Sequence, residues 1–131
     1  MPACTTCPAS AWRAVSTPAA LDALLGMNAS FVLGALEVLK LSRVTLDFDG
    51  TVLSTGNEVE NAARGYNPHK RFAKSYYPFL CHVAQTGHFL RVKNRRGNFH
   101  DSKGGALSMI SDCIREVRAR LGRSVVVEVR L

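Results

Sequence analysis

The 131-residue chain has no run of about 20 uncharged apolar residues, the length a helix needs to cross a bilayer. Its most apolar region, Ala19 to Leu41, is interrupted by Asp22, Glu37 and Lys40, so no membrane is expected as a partner. No basic segment precedes an apolar core near Met1, which argues against a secretory signal and for the cytoplasm. Cysteine is scarce: Cys4, Cys7, Cys81 and Cys113 are too few to read as a disulfide framework in a chain without such a signal. Cys4 and Cys7 form a CxxC, which is half a zinc site. No second pair and no paired histidines stand at zinc spacing, so two reduced thiols are expected there rather than a metal. Internal repeats and low-complexity tracts are also missing.

Acidic side chains are nearly missing from residues 61–104. Nine basic residues stand there (Arg64, Lys70, Arg71, Lys74, Arg91, Lys93, Arg95, Arg96, Lys103) against the single acid Asp101. The whole chain carries +7, so the positive charge is concentrated in that segment and the rest is close to neutral. One positive surface facing an acidic partner follows, not a basic coat. With 47% hydrophobic and 21% charged residues the composition is that of one globular domain.

Residues 1–16 lack periodicity and read as a disordered N-terminus. Residues 17–42 read as a helical lead-in. Thr17-Pro18 starts a first helix that Gly26 ends, and Asn28 caps a second through about Lys40. From Arg43 to Asp49 the period becomes two. Val44, Leu46 and Phe48 alternate with Thr45, Asp47 and Asp49, a strand with both aspartates on one face about 7 Å apart. Residues 56–77 read as a basic loop. Phe79–Ala84 and His88–Lys93 form a hairpin about Thr86-Gly87, and Arg95 to Asn98 a turn. Asp101 or Ser102 then caps a helix in which Ala106, Ile110, Cys113, Ile114, Val117 and Leu121 recur at helical spacing, closed by Gly122. The nearly continuous β-branched run from Ser124 to Leu131 reads as a buried strand, parallel to the first after a helical crossover, and as an exposed edge prone to aggregation where nothing covers Val125 to Val129. The predicted class is α/β with a mixed sheet.

Asp47-Phe48-Asp49-Gly50-Thr51 is the sharpest chemical feature. Carboxylates ending an apolar strand sit at a sheet rim, where divalent cations and phosphate oxygens meet. Taken alone, LDFDGT resembles the first motif of haloacid-dehalogenase-like phosphatases, which implies Asp47 as nucleophile and Asp49 as acid/base. A basic loop rather than a helix follows, and the family's later lysine and acidic pair find no match after Lys103. A third reading is a basic nucleic-acid-binding module without catalysis.

The wider pattern, LDFDGTVLSTGNEVE, GYNPHKR, SYYPFLCHVAQTGHFL, RRGNFHDSKGG and RSVVVEVRL, resembles the DDE transposases of bacterial insertion sequences. The similar branch opens its catalytic domain with a DxDxT strand and a GYNPxK loop. The resemblance covers roughly residues 43–131, in order. It implies a ribonuclease-H-like fold: three antiparallel strands, a helix, and a fourth strand parallel to the first. It implies cleavage and strand transfer of DNA at insertion-sequence ends by two Mg2+ or Mn2+ ions held by three carboxylates. Asp49 maps onto the first of these; Asp47 is a neighbour and the weaker metal-ligand candidate. The second family carboxylate follows the fourth strand and the third stands on a later helix, so the expectation is an N-terminal part that is inactive alone and holds no metal tightly. DNA is the implied partner, a homodimer is an option for the intact family protein, and no small-molecule substrate is expected.

The remaining candidates are phosphate and base contacts. Arg64, Lys70, Arg71 and Lys74 are interleaved with Tyr66, Tyr76 and Tyr77, a pattern suited to phosphate contact and base stacking. Arg95 and Arg96 extend the basic surface. Arg115, Arg118, Arg120 and Arg123 read as the solvated face of the helix closed by Gly122. His100-Asp101 suggests acid/base work, against which Asp101 reads better as a helix N-cap, and His82 and His88 flank a hairpin turn without ligand spacing.

Overall fold

The computed structural model describes residues 17–55, 59–68, 70–100 and 104–131. The expectations for residues 1–16, including Cys4 and Cys7, and for Asp101, Ser102 and Lys103 lie outside the described residues. The molecule is α/β with a mixed sheet. Helix α1 spans Pro18–Leu39. Strands β1 (Arg43–Gly50), β2 (Leu53–Ser54), β3 (Ala63–Arg64), β4 (Lys74–Tyr76), β5 (Phe79–Val83) and β6 (Phe89–Lys93) follow, then helix α2 (Ala106–Leu121) and strand β7 (Val126–Arg130).

The main sheet has the order β6-β5-β1-β7. β5 runs antiparallel to both β1 and β6, whereas β7 is parallel to β1, pairing Arg43 with Val126 through Asp47 with Arg130. The period of two in β1 explains its central position. Val44, Leu46 and Phe48 are buried among Phe79, Cys81 and Val83 of β5 and the inward residues of both helices, while Thr45, Asp47 and Asp49 point to the other face. In α2 the buried residues are Ala106, Met109, Cys113 and Val117, one stripe at helical spacing. Arg91 of β6 pairs with Glu116, and Arg120 with Glu37 at 2.8 Å, fastening α2 to the sheet and to α1. Cys81 and Cys113 are fully buried and hydrogen-bonded to each other. That bond, then burial, pushes the Cys81 thiol far above its ordinary value, so Cys81 is an inert core residue.

Three expectations are corrected. The lead-in is one helix, not two, because Asn28 does not cap. Its side-chain amide donates to the carbonyls of Phe89 (2.8 Å) and Leu90 (3.2 Å) on β6, a tertiary bond that holds the helix continuous against the sheet. Thr17 does cap, accepting from the Ala20 N–H, and α1 ends at Lys40 in the left-handed conformation. By length and composition α1 is apolar enough to cross a membrane; Ala29, Val32, Leu33 and Leu36 are core residues, while Leu21, Leu24, Met27, Phe31, Val38 and Leu39 are exposed. Second, residues 56–77 are not all loop: β3 and β4 lie within them and, with β2 just before, form a small antiparallel sheet in the order β2-β4-β3. Third, β7 is a half-exposed edge strand. Val125, Val127 and Val129 turn toward the core, while Val126, Glu128 and Arg130 face solvent. The described part of α2 begins after Gly105, whose φ of 78° suits glycine.

Gly26 lies inside α1 with open space where a Cβ would go. Gly26→Ala is therefore expected to stabilise the fold by about 0.5–1 kcal/mol, read as a rise in thermal midpoint. A fall would mean that the helix breaks at Gly26 after all.

Candidate functional site

Asp49 is the penultimate residue of β1, at its carboxyl-terminal end beside the exit of the parallel strand β7. Its side chain is exposed and makes no hydrogen bond or ion pair among the described residues. It borders a cavity of about 360 Å³ lined also by Phe48, Phe79, Ile110, His100 and Leu131. Asp47, on the same face, is differently placed. Arg130 on the neighbouring strand clamps it at 2.6 and 3.1 Å, and the His82 imidazole lies 3.3 Å away. Thr45, next along this face, bonds Gln85 and Glu128, so the stripe grades from a tied network to one open carboxylate.

The donors among the described residues do not by themselves make a two-metal centre. Among the described residues no group of three His, Cys, Asp or Glu side chains converges, and the oxygens of Asp47 are engaged by a guanidinium. One open carboxylate cannot neutralise two divalent ions. Asp47 is no better suited to nucleophilic attack. Arg130 occupies both of its oxygens, and the element following β1 is the two-residue β2, not a helix.

The basic segment is assembled by two glycines. A Cβ on Gly65 would lie 1.9 Å from the Gly97 carbonyl oxygen; one on Gly97 would lie 2.2 Å from Ser75 Oγ and 2.6 Å from the Ala63 carbonyl oxygen. The GYN and RGN turns thus touch backbone to backbone, and only glycine permits that approach. Asn67 staples the first turn. It is buried, donates to Ser54 Oγ at 2.7 Å and accepts from the Lys70 N–H at 2.9 Å. The Tyr77 N–H donates to the Arg95 carbonyl at 2.8 Å, and Tyr76 bridges to Arg96, joining the small sheet to the second turn.

This packing sorts the predicted residues. Arg64, Tyr66, Lys70, Arg71 and Arg96 are exposed, and Arg64, Tyr66 and Arg71 line one cleft with Phe72. Lys74 is half-buried in β4, paired in register with Arg64 of β3. Arg95 is a correction. It is only 4% exposed, its guanidinium lies 4.9 Å from the Tyr77 ring centre and 4.7 Å from that of Phe79, and it donates to the Tyr77 and His100 carbonyls. It is a structural cation that holds the turn, not a surface one. Sequence reasoning missed Phe72, Phe99 and His100 as wall residues. Phe72 and Phe99 stand in polar surroundings without periodicity, so the only signal was an apolar ring inside a basic run.

The chain was compared with family models, with curated proteins and with solved structures, and it matches none of them.

Proposed function

We propose that this chain is the opening part of a DDE transposase catalytic domain, ribonuclease-H-like in fold, which alone binds DNA without cutting it. The observation that carries the reading is the order β6-β5-β1-β7, antiparallel on one side of β1 and parallel on the other, with the open carboxylate of Asp49 ending that central strand. Three antiparallel strands, a helix and a parallel fourth strand are what the sequence resemblance implies, and here they occur in that sequence order. The exposed Arg64, Lys70, Arg71 and Arg96 would supply the phosphate contacts. The intact protein would act on insertion-sequence ends at the bacterial nucleoid with Mg2+ or Mn2+. This chain's own residues supply Asp49 and the DNA surface, and no step is assigned to a metal here.

Fluorescence anisotropy of a labelled duplex at several salt concentrations tests the reading. With about four phosphate contacts, log K is expected to fall against log salt with a slope of about −3 to −4. The double variant Lys70→Ala/Arg71→Ala is expected to reduce that slope by about 2 units without lowering the thermal midpoint. Binding that ignores salt contradicts the reading. Nicking by the purified chain with Mg2+, lost in Asp49→Ala, would show that the chain is active alone. Phosphatase activity lost in Asp47→Asn would transfer it to the haloacid-dehalogenase-like class.

A further inference from the structure

The hollows beside Asp49 and along the basic loop share their walls. The cavity that Asp49 borders has Gly50 and His100 in common with a larger cleft of about 640 Å³, walled by Tyr66, Tyr77, Phe99 and Pro68. That cleft shares Tyr66 and Pro68 with a third hollow of about 530 Å³, where Arg64, Arg71 and Phe72 stand. From the open carboxylate, past three aromatic rings, to the cations Arg64 and Arg71, adjoining hollows therefore follow one another through shared walls; Lys70 precedes Arg71 in the chain and is exposed.

Two features of this path are costly unless it holds something. Tyr66 is 84% exposed and Phe72 is 81% exposed. Phe72 moreover has φ of 64°, a left-handed conformation that bulky side chains avoid, so backbone strain is accepted at a ring displayed to solvent. The cations add direction: Arg64, Lys70 and Arg71 have no carboxylate partner among the described residues, so the path is positive where it leaves the aromatic cleft.

We propose that this path holds an unpaired stretch of DNA, its bases stacked on Tyr66, Tyr77 and Phe99 and its phosphates on Arg64, Lys70 and Arg71, leading toward Asp49. The inference rests on the DNA reading above and adds the form of DNA that the site takes. In a duplex the base faces are covered by their neighbours, and such rings can meet only the sugar-phosphate surface. An unpaired strand offers both a free π-face for each ring and a phosphate for each cation, and stacking does not depend on sequence. The path thus suits the unpaired terminus of a DNA end better than its paired interior.

The test compares a blunt 20-base-pair duplex with the same duplex carrying a five-nucleotide single-stranded overhang that contains 2-aminopurine. The overhang is expected to raise affinity about tenfold, and 2-aminopurine fluorescence to be quenched on binding as the base stacks. Tyr66→Ala and Phe99→Ala should each bring the overhang-to-blunt ratio down about fivefold and relieve the quenching. Tyr66→Phe, which keeps the ring, should preserve both, and Tyr66 is exposed enough for either change to leave the fold intact. Lys70→Ala should weaken blunt and overhanging ends alike. Equal affinity for the two ends with no quenching would overturn the proposal while leaving duplex binding standing. Binding to neither would remove the DNA reading and this proposal together. Tighter binding of a single-stranded RNA of the same sequence would overturn the assignment to DNA.

Discussion

Gly97→Ala is expected to lower the thermal midpoint by about 10 °C, a loss of about 3 kcal/mol, and to weaken DNA binding with it. The cause is steric and does not depend on glycine's freedom of φ, since φ at Gly97 is not positive. Its Cβ would stand 2.2 Å from Ser75 Oγ, 2.5 Å from the Ser75 carbonyl oxygen and 2.6 Å from the Ala63 carbonyl oxygen. The Ser75 side chain is fully buried and cannot swing aside, and both carbonyls belong to the small sheet. The turn must therefore lift away from β3 and β4, which breaks the 2.9 Å bond from the Gly97 N–H to the Ser75 carbonyl. Gly65→Ala meets the opposite wall of the same contact and should cost about as much. Circular dichroism melts of both variants beside Gly26→Ala check the argument, because the same chemical change should have opposite signs at open and closed positions. A Gly97→Ala melt within a degree or two of the parent would show that the two motifs are not packed together.

Arg95→Ala and Arg96→Ala should separate cleanly, although the residues are adjacent and identical. Arg95 lies between the Tyr77 and Phe79 rings and supplies the Tyr77 and His100 carbonyls. Its removal leaves a cavity between two rings and removes the guanidinium's two hydrogen bonds, a loss of about 3–4 kcal/mol. Arg95→Lys should recover little of this, because an ammonium has neither the fork nor the flat face that fills the gap. Arg96 is exposed. Its replacement should leave the melt unchanged and weaken DNA binding about two- to fivefold, with a shallower salt dependence. Paired melts and binding curves decide. Equal melts would place both arginines at the surface.

The contrast between these two arginines shows where sequence reasoning stops. Nothing local distinguishes Arg95 from Arg96; the distinction is made by Tyr77 and Phe79, whose rings meet the chain only after the second turn folds back. The same holds for Asn28. Its position looks like a helix start, yet its partners are carbonyls 61 and 62 residues away. By contrast, β1 and α2 were legible because each carries its period over five or more residues, and the β5–β6 hairpin and β7 because each strand is a β-rich run of that length. The second sheet was hidden because β2 and β3 are two residues each, too short for alternation to register. The last strand was legible as a strand, but a β-branched run does not state whether a neighbour covers it; among the described residues β7 has only β1 beside it. Asp47 and Asp49 were found together from their strand-end position, and the resemblance singled out Asp49. That Asp47 is tied to Arg130 and Asp49 is open depends on the register of β1 with β7, which the sequence does not state.

Photo-crosslinking tests the central claim most directly. The chain would be irradiated in complex with DNA that carries 5-iodouracil at an unpaired end, and the attached peptides sequenced. The account expects crosslinks at Tyr66, Tyr77 or Phe99, competed away by unlabelled DNA and by salt. Crosslinks confined to α1 or to the outer face of α2, or none at all where binding is strong, would contradict it.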